Sequence, residues 1–251
     1  MKNNTGVLTM RLMKHILRSP DTIITVALTP IAMMLMFVYV FGGAVKMSMG
    51  SDVNYINYQL PGILLMAIAS GIAYTAFRLF TDMQKGLFSR FNSMPISRSS
   101  VLWSHVLTSL VSNMFTVVVI FLVALIMGFR SSAGILNWLA ATGILALYTL
   151  ALTWIAVIPG LTAKSMEGAS SFSYLLIFLP FLSSAFVPTA TMPKVVRAFA
   201  ENQPVTSIVE TIRALLNSEP AGNDIWIALA WCVGTMIVAY LLAMRVYRRS
   251  I

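Results

Sequence analysis

Six apolar stretches, each long enough to cross a bilayer, constrain this chain more than any other feature of its sequence. A helix needs about 20 mainly apolar residues to cover the roughly 30 Å of hydrocarbon. Pro159, Gly160 and Pro180 interrupt the fourth and fifth stretches, but we still expect six transmembrane helices. They are predicted at residues 22–45, 59–80, 101–129, 134–161, 169–189 and 225–244.

The composition excludes an ordinary soluble protein. Hydrophobic residues make up 58% of the 251 and charged residues only 10%, whereas soluble domains contain about 45–50% and about 25%. So few charges cannot cover the surface of a folded chain of this length, and the remaining apolar surface must face lipid. We therefore predict an all-α, polytopic integral membrane protein in which residues 1–251 form a single transmembrane domain.

The charges divide unequally between the two sides of the membrane. With six spans both termini share one side, and that side holds twelve of the 17 Lys and Arg but three of the 8 Asp and Glu. The positive-inside rule predicts that this side, with both termini, is cytoplasmic. Anionic membrane lipid accounts for the basic surplus, so the net charge of +9 requires no nucleic-acid partner.

The predicted spans contain almost no ionisable group. The exceptions are Arg78, near the end of the second span, and His105, whose shallow depth favours an interhelical hydrogen bond over catalysis. The chain has no GxxxxGK[ST] phosphate-binding loop, so we expect no catalytic residue, no metal site and no bound cofactor. A membrane enzyme or scaffold is the alternative from a different class, and it would need a polar catalytic pair at membrane depth.

The first 21 residues predict an amphipathic helix lying in the inner membrane interface. Basic residues share one side of it and apolar residues share the other. The basic side carries Arg11, Lys14 and Arg18. This helix either anchors the chain to anionic headgroups or also docks a cytosolic partner.

The cytoplasmic loop at residues 81–100 predicts a short helix, at about 83–94, with an apolar stripe between basic residues. Such a helix needs a burial partner, which is either a protein or the bilayer surface. Pro95 ends the helix, and Gly86 allows a close backbone approach. The predicted contact residues are Lys85, Gly86, Leu87, Phe88, Arg90, Phe91, Met94 and Pro95.

The outer segment at residues 190–218 is apolar but divided by prolines into pieces too short to cross. Pro188, Pro193 and Pro204 make these breaks, and the pattern suits a re-entrant hairpin, with an amphipathic helix on the outer leaflet as the alternative. Ser207 followed by Glu210 predicts a capping box. Glu210 can also pair with Arg213 three residues later, and a buried stripe is expected at Val209, Ile212 and Leu216.

Soft, adaptable side chains are candidates for a path that carries large amphiphiles. The residues chosen are Met33, Met36, Phe37, Tyr74 and Phe178. Helix packing or lipid contact is the alternative role for each of them, because every span must be apolar in any case.

Two distant motifs resemble one family. The first is Lys85-Gly86-Leu87-Phe88-Ser89-Arg90-Phe91 with Ser93-Met94-Pro95-Ile96-Ser97-Arg98, and the second runs from Pro180 to Pro188, Thr191 to Pro193 and Glu201 to Leu216. In this order they look like the ABC-2 type transporter permeases, close to the daunorubicin-resistance export permeases. Asp82 stands where many members of the wider family carry Glu, which preserves the charge.

The resemblance implies a permease subunit of an ATP-binding-cassette exporter in the bacterial plasma membrane. It implies that two copies of the chain pair, that two copies of a separate ATPase bind ATP and Mg, and that the loop at 81–100 couples the subunits. It also implies short extracellular re-entrant helices near the exit. The cargo would be a hydrophobic or amphiphilic drug or antibiotic, with a cell-envelope lipid or glycan as the alternative.

Overall fold

The computed structural model describes residues 6, 9, 10, 12, 20–43, 54–86 and 98–249, and this part of the chain contains helices and no strands. The all-α prediction is therefore confirmed for these residues. The helices, numbered along the chain, are α1 Pro20–Leu35 with a π-helical turn at Met36–Phe41, α2 Tyr55–Gln84, α3 Arg98–Ile126, α4 Ile135–Thr162, α5 Met166–Ser170, α6 Phe172–Phe178 with a 3-10 turn at Leu179–Leu182, α7 Lys194–Asn202, α8 Pro204–Leu216 and α9 Asp224–Arg249.

Four helices in the described residues are long and apolar enough to cross a membrane. These are α2, α3, α4 and α9, with 25 or more residues in each apolar helix, and they match the second, third, fourth and sixth predicted spans. The first and fifth predicted spans correspond to shorter apolar helices at Ala27–Val40 and Met166–Leu182.

The fifth predicted span, 169–189, is wrong as one continuous helix. It divides at Ser171 into α5 and α6 and ends with the 3-10 turn. Pro180 lies in that turn and cannot donate a backbone hydrogen bond, and the chain then leaves the helix at Ser183. In contrast, Pro159 does not interrupt α4, which continues through it to Thr162.

Helix α2 is the centre of the bundle. Every residue from Gln59 to Ala69 is buried, which requires neighbours on all sides of the helix. Helices α1, α3, α4, α6 and α8 provide these neighbours, and α9 packs against α4. The result is a core continuous from α1 to α9.

A small residue lets the chain after α6 approach α2 closely. A Cβ at Gly62 would lie only 2.5 Å from the Cβ of Ala185. Close backbone packing through small residues is typical of helices in membranes. This contact places the buried loop at residues 183–186 against the N-terminal third of α2.

Helix α8 begins earlier than the sequence suggests. Pro204 is its first residue and Gln203 its N-cap, so Ser207 lies inside the helix and the predicted capping box is wrong. Proline has a fixed φ and no N–H, which suits the first helical position. The predicted stripe is confirmed, since Val209, Ile212 and Leu216 are at most 1% exposed.

Candidate functional site

Four phenylalanines from different parts of the chain form a cluster, here called the outer aromatic cluster. Phe186 stacks on Phe37 with ring centroids 4.7 Å apart and on Phe181 at 5.0 Å. Phe178 lies 6.1 Å from Phe181 and is 60% exposed. The cluster therefore joins the π-helical turn after α1, α6 and the buried loop.

Two of the residues chosen from sequence, Phe37 and Phe178, thus belong to one cluster. Phe181 and Phe186, which connect them, lie in the motif from Pro180 to Pro188 but were not chosen as path residues. Met33 is half-buried and packs against the core. Met36 is 38% exposed.

Tyr74 lies in a separate recess between α2 and the α5–α6 segment. The recess has a volume of about 300 Å³ and is here called the hydroxyl-lined recess. Its lining residues are Ser70, Ala73, Tyr74, Phe77, Ser170, Ser173, Tyr174 and Ile177. Apolar walls with a few placed polar groups are typical of small-molecule sites.

The serines of the recess donate their hydroxyl hydrogens to backbone carbonyls three or four residues earlier in the chain. Ser70 donates to the carbonyl of Met66 at 2.9 Å, and Ser173 donates to that of Ser170 at 2.6 Å. A hydroxyl oxygen keeps acceptor capacity after donating. The recess therefore offers hydrogen-bond acceptors to an amine or hydroxyl of a bound molecule.

Arg213 joins α8 to two other parts of the chain. Its Nε donates to the carbonyl of Tyr58 at 3.1 Å, and its Nη2 donates to the carbonyl of Ser184 at 2.8 Å. Its guanidinium lies 3.7 Å from the centre of the Tyr58 ring. Nη1 lies 2.7 Å from Glu210, the pair that the sequence predicts.

The buried loop is held from both sides. The hydroxyl of Tyr55 donates to the carbonyl of Phe186 at 3.2 Å, and Gln203 donates to the carbonyl of Leu182. Together with Arg213, these bonds connect α2 and α8 to the loop that carries the outer aromatic cluster. Movement of α8 would therefore be transmitted to Phe186.

The prolines of the outer segment stand at the starts of short elements. Pro188 precedes a 3-10 turn at Thr189–Thr191, Pro193 is the N-cap of α7, and Pro204 begins α8. Helices α7 and α8 contain 9 and 13 residues, which is too short to span the hydrocarbon.

The loop predicted at residues 81–100 begins later than the sequence suggests. Helix α2 continues to Gln84, so the predicted helix cannot start at residue 83. Gly86 follows with a φ of 66°, the left-handed conformation that ends many helices, and Lys85 is exposed. Residues 87–97, with Leu87, Phe88, Arg90, Phe91, Met94 and Pro95, lie outside the described residues, as do Arg11, Lys14 and Arg18.

His105 lies beside a carboxylate of the neighbouring helix. Its Nε2 is 3.4 Å from Oδ2 of Asp82, and the imidazole is 5% exposed. This contact fits the interhelical role expected for His105. Ser104 bonds to the carbonyl of Val101 within α3 at 2.6 Å, so it does not form a nucleophile–base pair with the histidine.

A buried hydroxyl cluster that the sequence analysis missed connects three spans. Thr75 of α2 donates to Ser109 of α3 at 2.8 Å, and Ser109 lies 3.3 Å from Thr153 of α4. Asn113 donates to the Ser109 carbonyl at 2.9 Å. Serine and threonine are common in apolar spans, and only a tertiary structure shows which of them meet.

Long apolar helices packed around a central helix define a multi-pass helical membrane protein. The chain belongs to the ABC-2 type transporter family, whose model matches residues 3–217. The resemblance seen in the sequence is therefore confirmed.

Several curated proteins are similar over most of this chain. The daunorubicin resistance ABC transporter permease protein DrrB1 of Streptomyces coeruleorubidus is 29% identical over 92% of this chain and 81% of its own length. The probable doxorubicin resistance ABC transporter permease protein DrrC of Mycobacterium tuberculosis is 25% identical over 96% and 87%. The putative transport permease ycf38 of Cyanophora paradoxa is 26% identical over 83% and 72%.

Proposed function

We propose that this chain is the permease subunit of an exporter that moves hydrophobic or amphiphilic drug- or antibiotic-type molecules out of a bacterial cell. A separate ATPase, present in two copies, binds ATP and Mg and drives the cycle. The family match and the similarity to drug-resistance permeases support this proposal. The permease itself contributes no catalytic residue and no cofactor.

The observation that carries the proposal is the continuity between the hydroxyl-lined recess and the outer aromatic cluster. Tyr174 and Phe178 are four residues apart within α6, which places them on one side of that helix. Tyr174 lines the recess and Phe178 belongs to the cluster. A planar amphiphile could thus hydrogen-bond in the recess and stack on the phenylalanines further along.

A second copy of the chain would close this path. Tyr174, Leu175 and Phe178 are each at least 60% exposed, and so are Tyr39 and Val40 at the end of α1. A recess that is open on one side cannot by itself enclose a solute. We propose that α1 and α6 of two copies face each other across the path and that membrane lipid covers the rest.

We propose six spans with both termini in the cytoplasm and α7 and α8 outside near the exit. The basic surplus beside the predicted inner ends supports this orientation. The loop after α2 then faces the cytoplasm, with exposed Lys85 at its start. That loop is the proposed docking site for the ATPase, and the N-terminal basic helix lies beside it at the membrane surface.

Export of daunorubicin, a fluorescent planar amphiphile, tests the proposal. Cells expressing the chain with the ATPase encoded beside it should accumulate less daunorubicin than cells lacking the permease. Tyr174→Ala should remove most of this difference because it removes both a stacking face and a hydroxyl. Phe115→Ala, at a 54% exposed position on α3 outside the recess, is the matched control and should export normally.

Equal accumulation with and without the permease would refute drug export. If daunorubicin is not exported while labelled cell-envelope lipid or glycan fails to reach the surface without the permease, the alternative cargo is correct. If Tyr174→Ala exports daunorubicin at the wild-type rate, the recess is not part of the path.

A further inference from the structure

An apolar groove runs along the outside of the bundle between α4 and α9, away from the proposed path. It has a volume of about 800 Å³, within the range of small-molecule sites. Its lining residues are Ile155, Ile158, Ile227, Ala230, Trp231, Gly234, Thr235, Val238, Ala239 and Leu242. Only Thr235, with its hydroxyl, and Trp231, with its indole N–H, carry a polar side-chain group among these lining residues.

The groove is open because the residues along α9 do not fill it. Gly234 lies in it, and a Cβ at that position would have no atom within 4 Å. Trp231 and Val238, on either side of the glycine, are 48% and 58% exposed. An elongated apolar ligand could therefore enter from the bilayer along its whole length.

One end of the groove meets a cation. Ile227 and Arg245 are 18 residues apart, which is five turns of α9, so they lie on the same side about 27 Å from each other. Leu242, the last lining residue, is one turn before Arg245. Arg245 is exposed and forms no ion pair with the described residues.

We infer that this groove binds the acyl chain of an anionic phospholipid whose headgroup lies on Arg245. The apolar lining matches hydrocarbon, and the half of the groove nearer Arg245 matches the depth that one leaflet's acyl chains cover, about half of the roughly 30 Å core. In the proposed orientation Arg245 lies at the cytoplasmic surface, where anionic lipids attract basic side chains. The inference concerns a bound lipid and does not depend on the transported substrate.

A lipid fits the groove better than a second copy of the chain. The recess side of the bundle carries hydroxyls and aromatic rings, as a solute path requires, whereas the groove side is almost wholly apolar. A second copy would also leave the charge of Arg245 unpaired, because a symmetric contact of this face would place the Arg245 side chains of the two copies near each other. An anionic headgroup supplies the opposite charge instead.

Native mass spectrometry of the full chain tests the site. The chain is purified in mild detergent with equal amounts of phosphatidylglycerol and phosphatidylcholine, and the lipids retained on it are counted. We expect one phosphatidylglycerol to be retained in preference to phosphatidylcholine. Equal retention of the two lipids by the unmodified chain would overturn the inference without any variant.

Two variants test the two parts of the site, which are the cation for the headgroup and the groove for the acyl chain. Arg245→Ala should weaken phosphatidylglycerol binding about five-fold, which corresponds to about 1 kcal/mol for one basic residue near an anionic surface. Gly234→Leu should abolish the retained lipid because the leucine occupies the groove. Lys194→Ala and Gly143→Leu are the matched controls, since Lys194 is an exposed cation on α7 and Gly143 an open helical glycine outside the groove.

Unchanged lipid retention in Gly234→Leu, measured on protein with a normal melting profile, would overturn the inference. If Gly234→Leu does not fold, an unchanged preference of Arg245→Ala for phosphatidylglycerol would overturn the inference. A disulfide formed between copies by Val238→Cys in membranes, in a background lacking Cys232, would show that a second copy covers the groove and would also overturn it.

Discussion

The side-chain oxygen Oδ1 of Asn113 in α3 rests directly against Gly71 in α2, at the position a Cβ would occupy. Asn113 is 3% exposed, and this oxygen has no hydrogen-bond partner among the described residues. Thr75 and Ser109 bond across the same helix pair one turn away. The two central helices therefore approach closely because residue 71 has no side chain.

Gly71→Ala should destabilise the protein because the added methyl overlaps the Asn113 amide. Overpacking of a buried site typically costs about 1–3 kcal/mol, and the melting temperature of the purified chain should fall accordingly. Gly143→Ala is the control, because a Cβ there meets no atom within 4 Å, and it should be neutral or slightly stabilising. Adding Asn113→Ala to Gly71→Ala should recover part of the loss, and strictly additive effects would contradict the contact.

Arg213→Lys should weaken the connection of α8 to α2 and to the buried loop, although the positive charge is kept. Lysine cannot reach Tyr58, Ser184 and Glu210 with one planar group, and each buried bond left unmade costs about 1–3 kcal/mol. We expect lower thermal stability and faster proteolysis near residues 183–186. Arg197→Ala is the control, since its pair with Glu201 is about half exposed and should contribute about 0.5 kcal/mol or less. Equal effects of the two substitutions would show that Arg213 is not a structural connection.

The proposed orientation can be checked by labelling single cysteines on intact cells. In a chain carrying Cys232→Ala, Glu219→Cys should react with an impermeant thiol reagent and Lys164→Cys should not. Both native side chains are exposed, so burial does not explain a difference. Both positions should react after the cells are opened, and the opposite pattern on intact cells would reverse the proposed topology.

Phe88→Ala and Phe91→Ala should each weaken binding of the ATPase or separate ATP hydrolysis from export. A buried aromatic anchor at an interface typically contributes about 2 kcal/mol or more. Lys85→Ala should have a smaller effect that decreases with added salt, because a charge at the rim chiefly changes the association rate. Co-purification and coupled export assays measure both effects. Wild-type behaviour of both phenylalanine variants would mean that the loop contacts lipid instead.

Apolar length and local spacing determined much of the architecture directly from the sequence. The second, third, fourth and sixth predicted spans appear as long helices because a run of this length can satisfy its backbone only as a helix in lipid. The pair of Glu210 and Arg213 and the buried stripe of α8 also follow from spacing, since residues three or four apart share a helix face. The family motifs were likewise readable without a structure.

Tertiary structure alone decided which residues meet across the bundle. Phe37 and Phe186 are separated by 149 positions along the chain, and Tyr58 and Arg213 by 155, so no local pattern relates them. In a membrane span nearly every residue is apolar, and hydrophobic periodicity therefore does not distinguish the packed face from the lipid face. Close packing at Gly62 and Gly71 contributes to that choice, because a residue without a side chain lets neighbouring backbone and polar groups approach α2.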